Sequence, residues 1–97
     1  MIIDFTAELK EITGDKIEIK DGKEVVSLKN VSVNALLAPE QGIDGKEKLD
    51  RFILAEKIQK CTEPLELIPE DVAKIKLVIG KIYPALIVGQ SYRLLDG

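Results

Sequence analysis

The N-terminal residues alternate between apolar and polar side chains, as in a strand with one buried face. The apolar positions on one face of the extended chain are Ile3, Phe5, Ala7 and Leu9. Phe5, Leu9 and Ile12 also stand at helical spacing, so a helix over residues 5–12 is the alternative. The turn-forming sequence at residues 13–15 favours the strand.

A second alternating run, over residues 17–20, ends at an Asp-Gly dipeptide typical of tight hairpin turns. A two-residue loop would place Lys20 opposite Lys23, whereas a three-residue loop would pair Lys20 with Glu24. The register therefore stays open. The two runs together predict a β-hairpin or a small antiparallel sheet.

Two helices are predicted next, each bounded by a capping or breaking residue. Ser27 can cap the first helix, which ends before Pro39 because proline cannot continue a helix. Asp44 and Glu47 stand at capping-box spacing and open a second helix that runs to about Cys61.

The rest of the chain predicts a short strand and two further helices. Residues 65–67 alternate over three positions, and Pro69 suits the first turn of a third helix. Pro84 separates that helix from a fourth over residues 85–95. The positions expected to be buried are Val72, Ile75, Ile79 and Ile82 in the third helix and Ile87, Val88, Leu94 and Leu95 in the fourth.

The second helix has no single apolar stripe, because residues 52–55 are apolar around nearly its whole circumference. A helix that is apolar on all sides is covered on several sides, by its own domain or by a partner chain. We therefore expect this helix to be the most central element. Phe52, Leu54 and Ala55 are candidate interface residues.

Size and composition indicate one α+β domain over residues 1–97. The 97 residues are 45% hydrophobic and 32% charged, which is typical of a globular protein rather than of a disordered chain. A chain of this length encloses a single core. The prediction is a β-hairpin region over residues 1–28, followed by about four packed helices over residues 29–97.

The composition excludes several kinds of active site. Without any His, the chain has no Ser-His or Cys-His pair. Its one Cys forms neither a disulfide framework nor a thiolate zinc site. The net charge of −3 argues against broad affinity for nucleic acid or anionic membranes. We expect no catalytic residue, cofactor, metal or small-molecule substrate, and so no enzyme.

Other motifs point the same way. The Gly-Lys dipeptides at 45–46 and 80–81 lack the Ser or Thr that completes a phosphate-binding loop. No segment approaches the roughly 18 apolar residues of a membrane-spanning helix. The first residues show no basic region followed by a long apolar run, so we expect no signal peptide. A cytoplasmic location is therefore expected.

The third and fourth helices suggest an alternative function. They could form a helix-turn-helix in which Gln90, Ser91 and Arg93 face a nucleic acid. Only Arg93 among these is basic, which weakens this DNA-binding hypothesis.

Two glycines interrupt the same helices. Gly80 and Gly89 each cost roughly 1 kcal/mol relative to alanine inside a helix. Close helix–helix approach, within the chain or between chains, would account for both, and Gly89 joins the candidate interface.

The order of several short segments is informative. These segments are residues 27–28, 33–38, 51–52, 54–58, 79–81, 83–84, 87–90 and 94–95. In this order they resemble small proteins encoded by tailed bacteriophages and prophages. The resemblance implies an accessory protein that works by binding, and it carries over no catalytic residue. The leading hypothesis is a non-enzymatic protein-interaction module that binds another protein or a second copy of itself.

Overall fold

Six elements follow one another along the described part of the chain. The computed structural model describes residues 1–9 and 26–96. The elements are β1 (Ile2–Ile3), α1 (Leu28–Leu37), α2 (Gly45–Lys60), β2 (Leu65–Glu66), α3 (Pro69–Ile82) and α4 (Ala85–Leu95). A small antiparallel sheet with four helices confirms the predicted α+β fold. The predicted hairpin strand at residues 17–20 and its turn lie outside the described residues.

The N-terminal segment is buried on alternate residues, but it pairs with a distant strand. Its buried residues are Ile3, Phe5 and Leu9. β1 pairs antiparallel with β2, so that Ile3 lies opposite Leu65. β1 is short because the chain turns directly after it, where the carboxylate of Asp4 accepts a hydrogen bond from the backbone N–H of Thr6 at 2.9 Å.

The N-terminal segment also fixes the start of α1. The N–H of Leu9 donates to the carbonyl of Val26 at 3.0 Å, and the N–H of Leu28 donates to the carbonyl of Ala7 at 2.9 Å. Residues 5–9 are therefore extended or turned rather than helical. The rest of the helical alternative lies outside the described residues.

The helix limits follow the capping and breaking signals. The hydroxyl of Ser27 accepts from the N–H of Asn30, and the carboxylate of Asp44 accepts from the N–H of Glu47 at 2.8 Å. Pro69 occupies the first turn of α3. α4 spans the predicted residues 85–95.

The central helix is α1, not α2. α1 packs against α2, α3 and α4. Its buried Ser32 and Ala35 are small enough to allow this close packing. α2 buries only one side, which consists of Arg51, Leu54, Ala55 and Ile58. The expectation that α2 would be the most central element is therefore wrong.

Most of the expected core positions in α3 and α4 are buried. Those fully or largely buried are Val72, Ile75, Ile79, Ile87 and Leu95, with Val88 and Leu94 packed against them. Ile82, expected in the core, is instead 47% exposed. It is the last residue of α3 and lies beyond the neighbours that cover the helix middle, whereas Val78 is buried.

Candidate interaction surface

Three large apolar side chains lie next to one another on the outer side of α2. Leu49, Phe52 and Ile53 are 55%, 52% and 52% exposed, respectively. Their spacing of three and four residues places them on one face of the helix. We refer to these three residues as the apolar α2 face.

The packing of α2 explains why the apolar α2 face is exposed to solvent. Leu54 and Ala55 lie on the buried side of α2 and are 5% and 2% exposed. Of the candidate interface residues on α2, Phe52 therefore lies on the surface, while Leu54 and Ala55 belong to the core. Gly89 is exposed on α4, and no described side chain lies within 4 Å of the position that its Cβ would take.

A shallow cleft borders the apolar α2 face on each side. Toward α1, Val33, Leu37 and Phe52 line a cleft of about 190 Å³ whose floor includes Ala55. Toward α3, a cleft of about 340 Å³ is lined by Ile53 and by charged side chains that include Asp71. The face is therefore continuous with an apolar cleft on one side and a charged cleft on the other.

A chain of ion pairs lies behind α2 and ties it to its neighbours. Buried Arg51 donates to Glu47 at 2.8 Å and to Glu40, in the α1–α2 loop, at 3.1 Å. Glu47 also pairs with Lys74 of α3 at 3.2 Å, and Glu40 pairs with Lys81 at 3.0 Å. This network holds α2 against both the loop and α3.

The electrostatics of the network favour the charged carboxylates. Hydrogen bonds from Lys81 and Arg51 hold the pKa of Glu40 below its ordinary value of 4.5. The hydrogen bond from Arg51, followed by that from Lys74, does the same for the pKa of Glu47. Burial alone would lower the pKa of Arg51, but the hydrogen bonds to Glu47 and Glu40 outweigh it and raise that pKa.

The two helical glycines have different surroundings. A Cβ added at Gly80 would lie 2.6 Å from the Tyr92 hydroxyl oxygen, so the end of the Tyr92 side chain of α4 lies against the α3 backbone there. That hydroxyl donates to the carbonyl of Lys76 at 2.7 Å. Gly89 has no such neighbour among the described residues. Contact with the Tyr92 hydroxyl therefore accounts for Gly80, whereas no contact among the described residues accounts for Gly89.

The proposed nucleic-acid contacts do not share an open surface. Ser91 is fully buried, so its hydroxyl cannot reach a nucleic acid in this fold. Gln90 is half-buried and donates to the carbonyl of Leu86 at 3.3 Å. Arg93 is exposed. The nucleic-acid alternative thus loses Ser91, because a Ser at that position of α4 faces the core.

The described residues contain no arrangement for metal chemistry. Across residues 1–9 and 26–96, no three His, Cys, Asp or Glu side chains come close enough to hold a metal ion. Cys61 is half-buried at the end of α2, where its carbonyl accepts from Lys29. Within those same ranges, no helix is long and apolar enough to cross a membrane.

Comparisons with protein-family models, curated proteins and solved structures gave no match. The resemblance to phage-encoded proteins therefore stays a prediction.

Sequence reasoning missed the burial of Arg51 and the network around it. The i, i+4 spacing of Glu47 and Arg51 was a signal for one ion pair. Glu40 pairs with Arg51, 11 residues away, and with Lys81, 41 residues away. No local sequence pattern signalled either of these two contacts.

Proposed function

We propose that this protein is a non-enzymatic interaction module that binds a protein partner through the apolar α2 face. The observation that supports this most is the exposure of Leu49, Phe52 and Ile53, each about half accessible to water on one helix face. Single exposed apolar residues are ordinary, whereas adjacent ones mark interaction sites. Removing their surface from water stabilises a complex by roughly 25 cal/mol per Å².

The rigidity behind the face supports binding without prior rearrangement. The inner side of α2 packs on α1, and Arg51 bridges Glu47 and Glu40. A helix that is already fixed loses little conformational freedom when a partner docks, so more of the burial energy contributes to affinity.

The charges around the face favour a protein partner over a polyanion. Lys46 and Lys60 are exposed on α2 together with Glu56, so both signs of charge surround the apolar residues. A mixed polar rim around an apolar centre is typical of protein interfaces. A nucleic acid or an anionic membrane would instead favour a continuous basic surface.

The setting of this function rests on the sequence. The resemblance to phage and prophage proteins supports an accessory role in a phage or prophage.

Affinity capture with matched variants tests the proposal. The tagged full chain, a Leu49→Gln/Phe52→Gln variant and a Leu77→Gln control are compared by quantitative mass spectrometry of proteins retained from the source cell. Leu77 is 54% exposed on α3, outside α2, so the control alters apolar exposure on another element. We expect partners retained by the wild type and the control to be lost from the double variant. Equal retention by all three chains, together with a wild type that does not self-associate, would refute a role for the α2 face.

A DNA-binding experiment tests the alternative function, in which α4 binds a nucleic acid. Duplex DNA is titrated at low salt with the wild type and with an Arg93→Ala variant. Binding that falls with salt and is lost in the variant would favour the nucleic-acid function, because phosphate contacts release counterions. The proposed protein-binding function predicts no such binding.

A further inference from the structure

We propose that the partner of the apolar α2 face is a second copy of this chain, docked with its own α2 antiparallel across a twofold axis level with residue 51. The inference rests on the proposed function and names its partner. It comes from the pattern of residues around the face rather than from the apolar surface alone.

Four exposed residues of α2 form a short heptad pattern. Lys46, Leu49, Ile53 and Glu56 are separated by three, four and three positions, and all four are exposed. This spacing places them in one line along the outer side of the helix, as at the a and d positions of a coiled coil. The buried residues Arg51, Leu54 and Ile58 occupy the opposite side.

The pattern is complementary to itself when reversed. Residue 51 lies midway between Leu49 and Ile53 and also midway between Lys46 and Glu56. Two antiparallel copies centred there place Leu49 against the partner's Ile53. The same arrangement places Lys46 against the partner's Glu56. A twofold axis repeats every contact, so the interface contains two apolar pairs flanked by two ion pairs.

A parallel arrangement lacks this complementarity. Two parallel helices in register would place Lys46 against the partner's Lys46 and Glu56 against the partner's Glu56. Like charges directly opposite each other repel. The charges therefore select the antiparallel orientation.

The residues beside this line add one favourable contact and one unfavourable contact. Phe52 lies on the α1 side of the line, near the twofold axis, where it would contact the partner's Phe52. Asp50 lies on the other flank, also near the axis, where it meets the partner's Asp50 and opposes association. Apolar burial thus favours the dimer while one like-charge pair limits its strength.

An interface made by α2 alone is small, so the dimer should associate weakly. α2 has 16 residues and so measures about 24 Å along its axis. A single helix pair of this length buries less than the roughly 1,200 Å² at which stable standard interfaces begin. The dimer should accordingly be measured at concentrations from about 10 µM to 1 mM.

Sedimentation equilibrium with charge-reversed chains tests the arrangement. Lys46→Glu and Glu56→Lys each convert both symmetric ion pairs into like-charge pairs. We expect each variant alone to dimerise about tenfold more weakly or worse. An equimolar mixture of the two restores opposite charges at both sites, so we expect a heterodimer at least as stable as the wild-type dimer.

Controls separate this proposal from general effects of charge. Glu63→Lys changes the net charge as much as Glu56→Lys but lies outside α2, so dimerisation should be unchanged. If the single reversals dimerise as well as the wild type, or if the mixture does not recover, the antiparallel arrangement is refuted.

The outcome is distinguishable from failure of the proposed function. A wild type that is strictly monomeric at about 1 mM overturns the second-copy partner. If the same protein still captures a cellular protein through Leu49 and Phe52, the interaction function stands with a different partner. If both assays are negative, both proposals fail.

Discussion

Replacing Gly80 with alanine tests the contact of the Tyr92 hydroxyl with the α3 backbone. Alanine inside a helix is favoured over glycine by roughly 1 kcal/mol. At this position, however, the new Cβ would lie 2.6 Å from the Tyr92 hydroxyl oxygen, which is too close for two unbonded atoms. Tyr92 must therefore move.

The movement of Tyr92 has a calculable cost. The Tyr92 hydroxyl donates to the carbonyl of Lys76 at 2.7 Å, and Lys76 Nζ lies 5.8 Å from the centre of the Tyr92 ring. Losing the hydrogen bond costs about 1 kcal/mol, which offsets the helix gain. We expect Gly80→Ala to change the free energy of unfolding by between about 0 and −1 kcal/mol.

Gly89→Ala is the matched control, because no described atom lies within 4 Å of its added Cβ. It should stabilise the protein by about 1 kcal/mol, a rise in Tm of roughly 4–8 °C. In a Tyr92→Phe background the nearest remaining atom to a Cβ at position 80 is the ring carbon Cζ at 3.7 Å, an ordinary contact. Gly80→Ala should then become stabilising.

Urea and thermal unfolding, followed by circular dichroism, give the free energy of unfolding of each chain. The chains are the wild type, Gly80→Ala, Gly89→Ala, Tyr92→Phe and the double variant Gly80→Ala/Tyr92→Phe. The double-mutant cycle should give a coupling of about 1–2 kcal/mol between positions 80 and 92. If Gly80→Ala stabilises the wild type as much as Gly89→Ala does, the Tyr92 hydroxyl does not lie against Gly80.

Three further predictions concern the core, the ion pairs and the proposed dimer. Among the described residues the buried hydroxyl of Ser91 has no hydrogen-bond partner, so Ser91→Ala should leave the free energy of unfolding from urea titration unchanged or raise it; a fall above about 1 kcal/mol would point to a missed partner. The lowered pKa values of Glu40 and Glu47 mean that their charged forms stabilise the fold above pH 4.5 and that this is lost as the pH falls through their folded pKa values. Arg51→Met should therefore flatten the dependence of the urea midpoint on pH below about 4.5, and an unchanged slope would contradict the network. Asp50→Asn should tighten the self-association measured by sedimentation, because it removes a like-charge pair at the twofold axis; weaker association would argue against that axis.

The helices were predictable because their limits are set by neighbouring residues. Ser27, Asp44 and Pro69 act within one helical turn, so their effects can be deduced without knowing the fold. The alternation of the first residues likewise indicated that Ile3, Phe5 and Leu9 are buried, although Ala7, on the same predicted face, is only half-buried. The pairing partner of the first strand was not deducible, because Leu65 stands 62 residues after Ile3 and no local signal links the two strands.

The orientation of α2 was harder to predict because its apolar residues surround the helix. Hydrophobicity alone would turn Phe52 and Ile53 toward α1 and leave a charged residue such as Arg51 in water. The fold has the opposite rotation: Arg51 is 5% exposed while Phe52 and Ile53 are each 52% exposed.

The ion pairs supply the physical reason for this rotation. A buried Arg deprived of its partners is strongly unfavourable, whereas Arg51 in place satisfies Glu47 on α2 and Glu40 in the preceding loop. Glu40 and Glu47 are in turn held by Lys81 and Lys74 of α3, so turning α2 would break contacts with two neighbouring segments. Because the desolvation cost of a buried pair can exceed its Coulombic gain, we attribute to this network the choice of helix rotation rather than added stability. The network thereby keeps three apolar side chains on the outside, where a partner rather than the domain's own core can bury them.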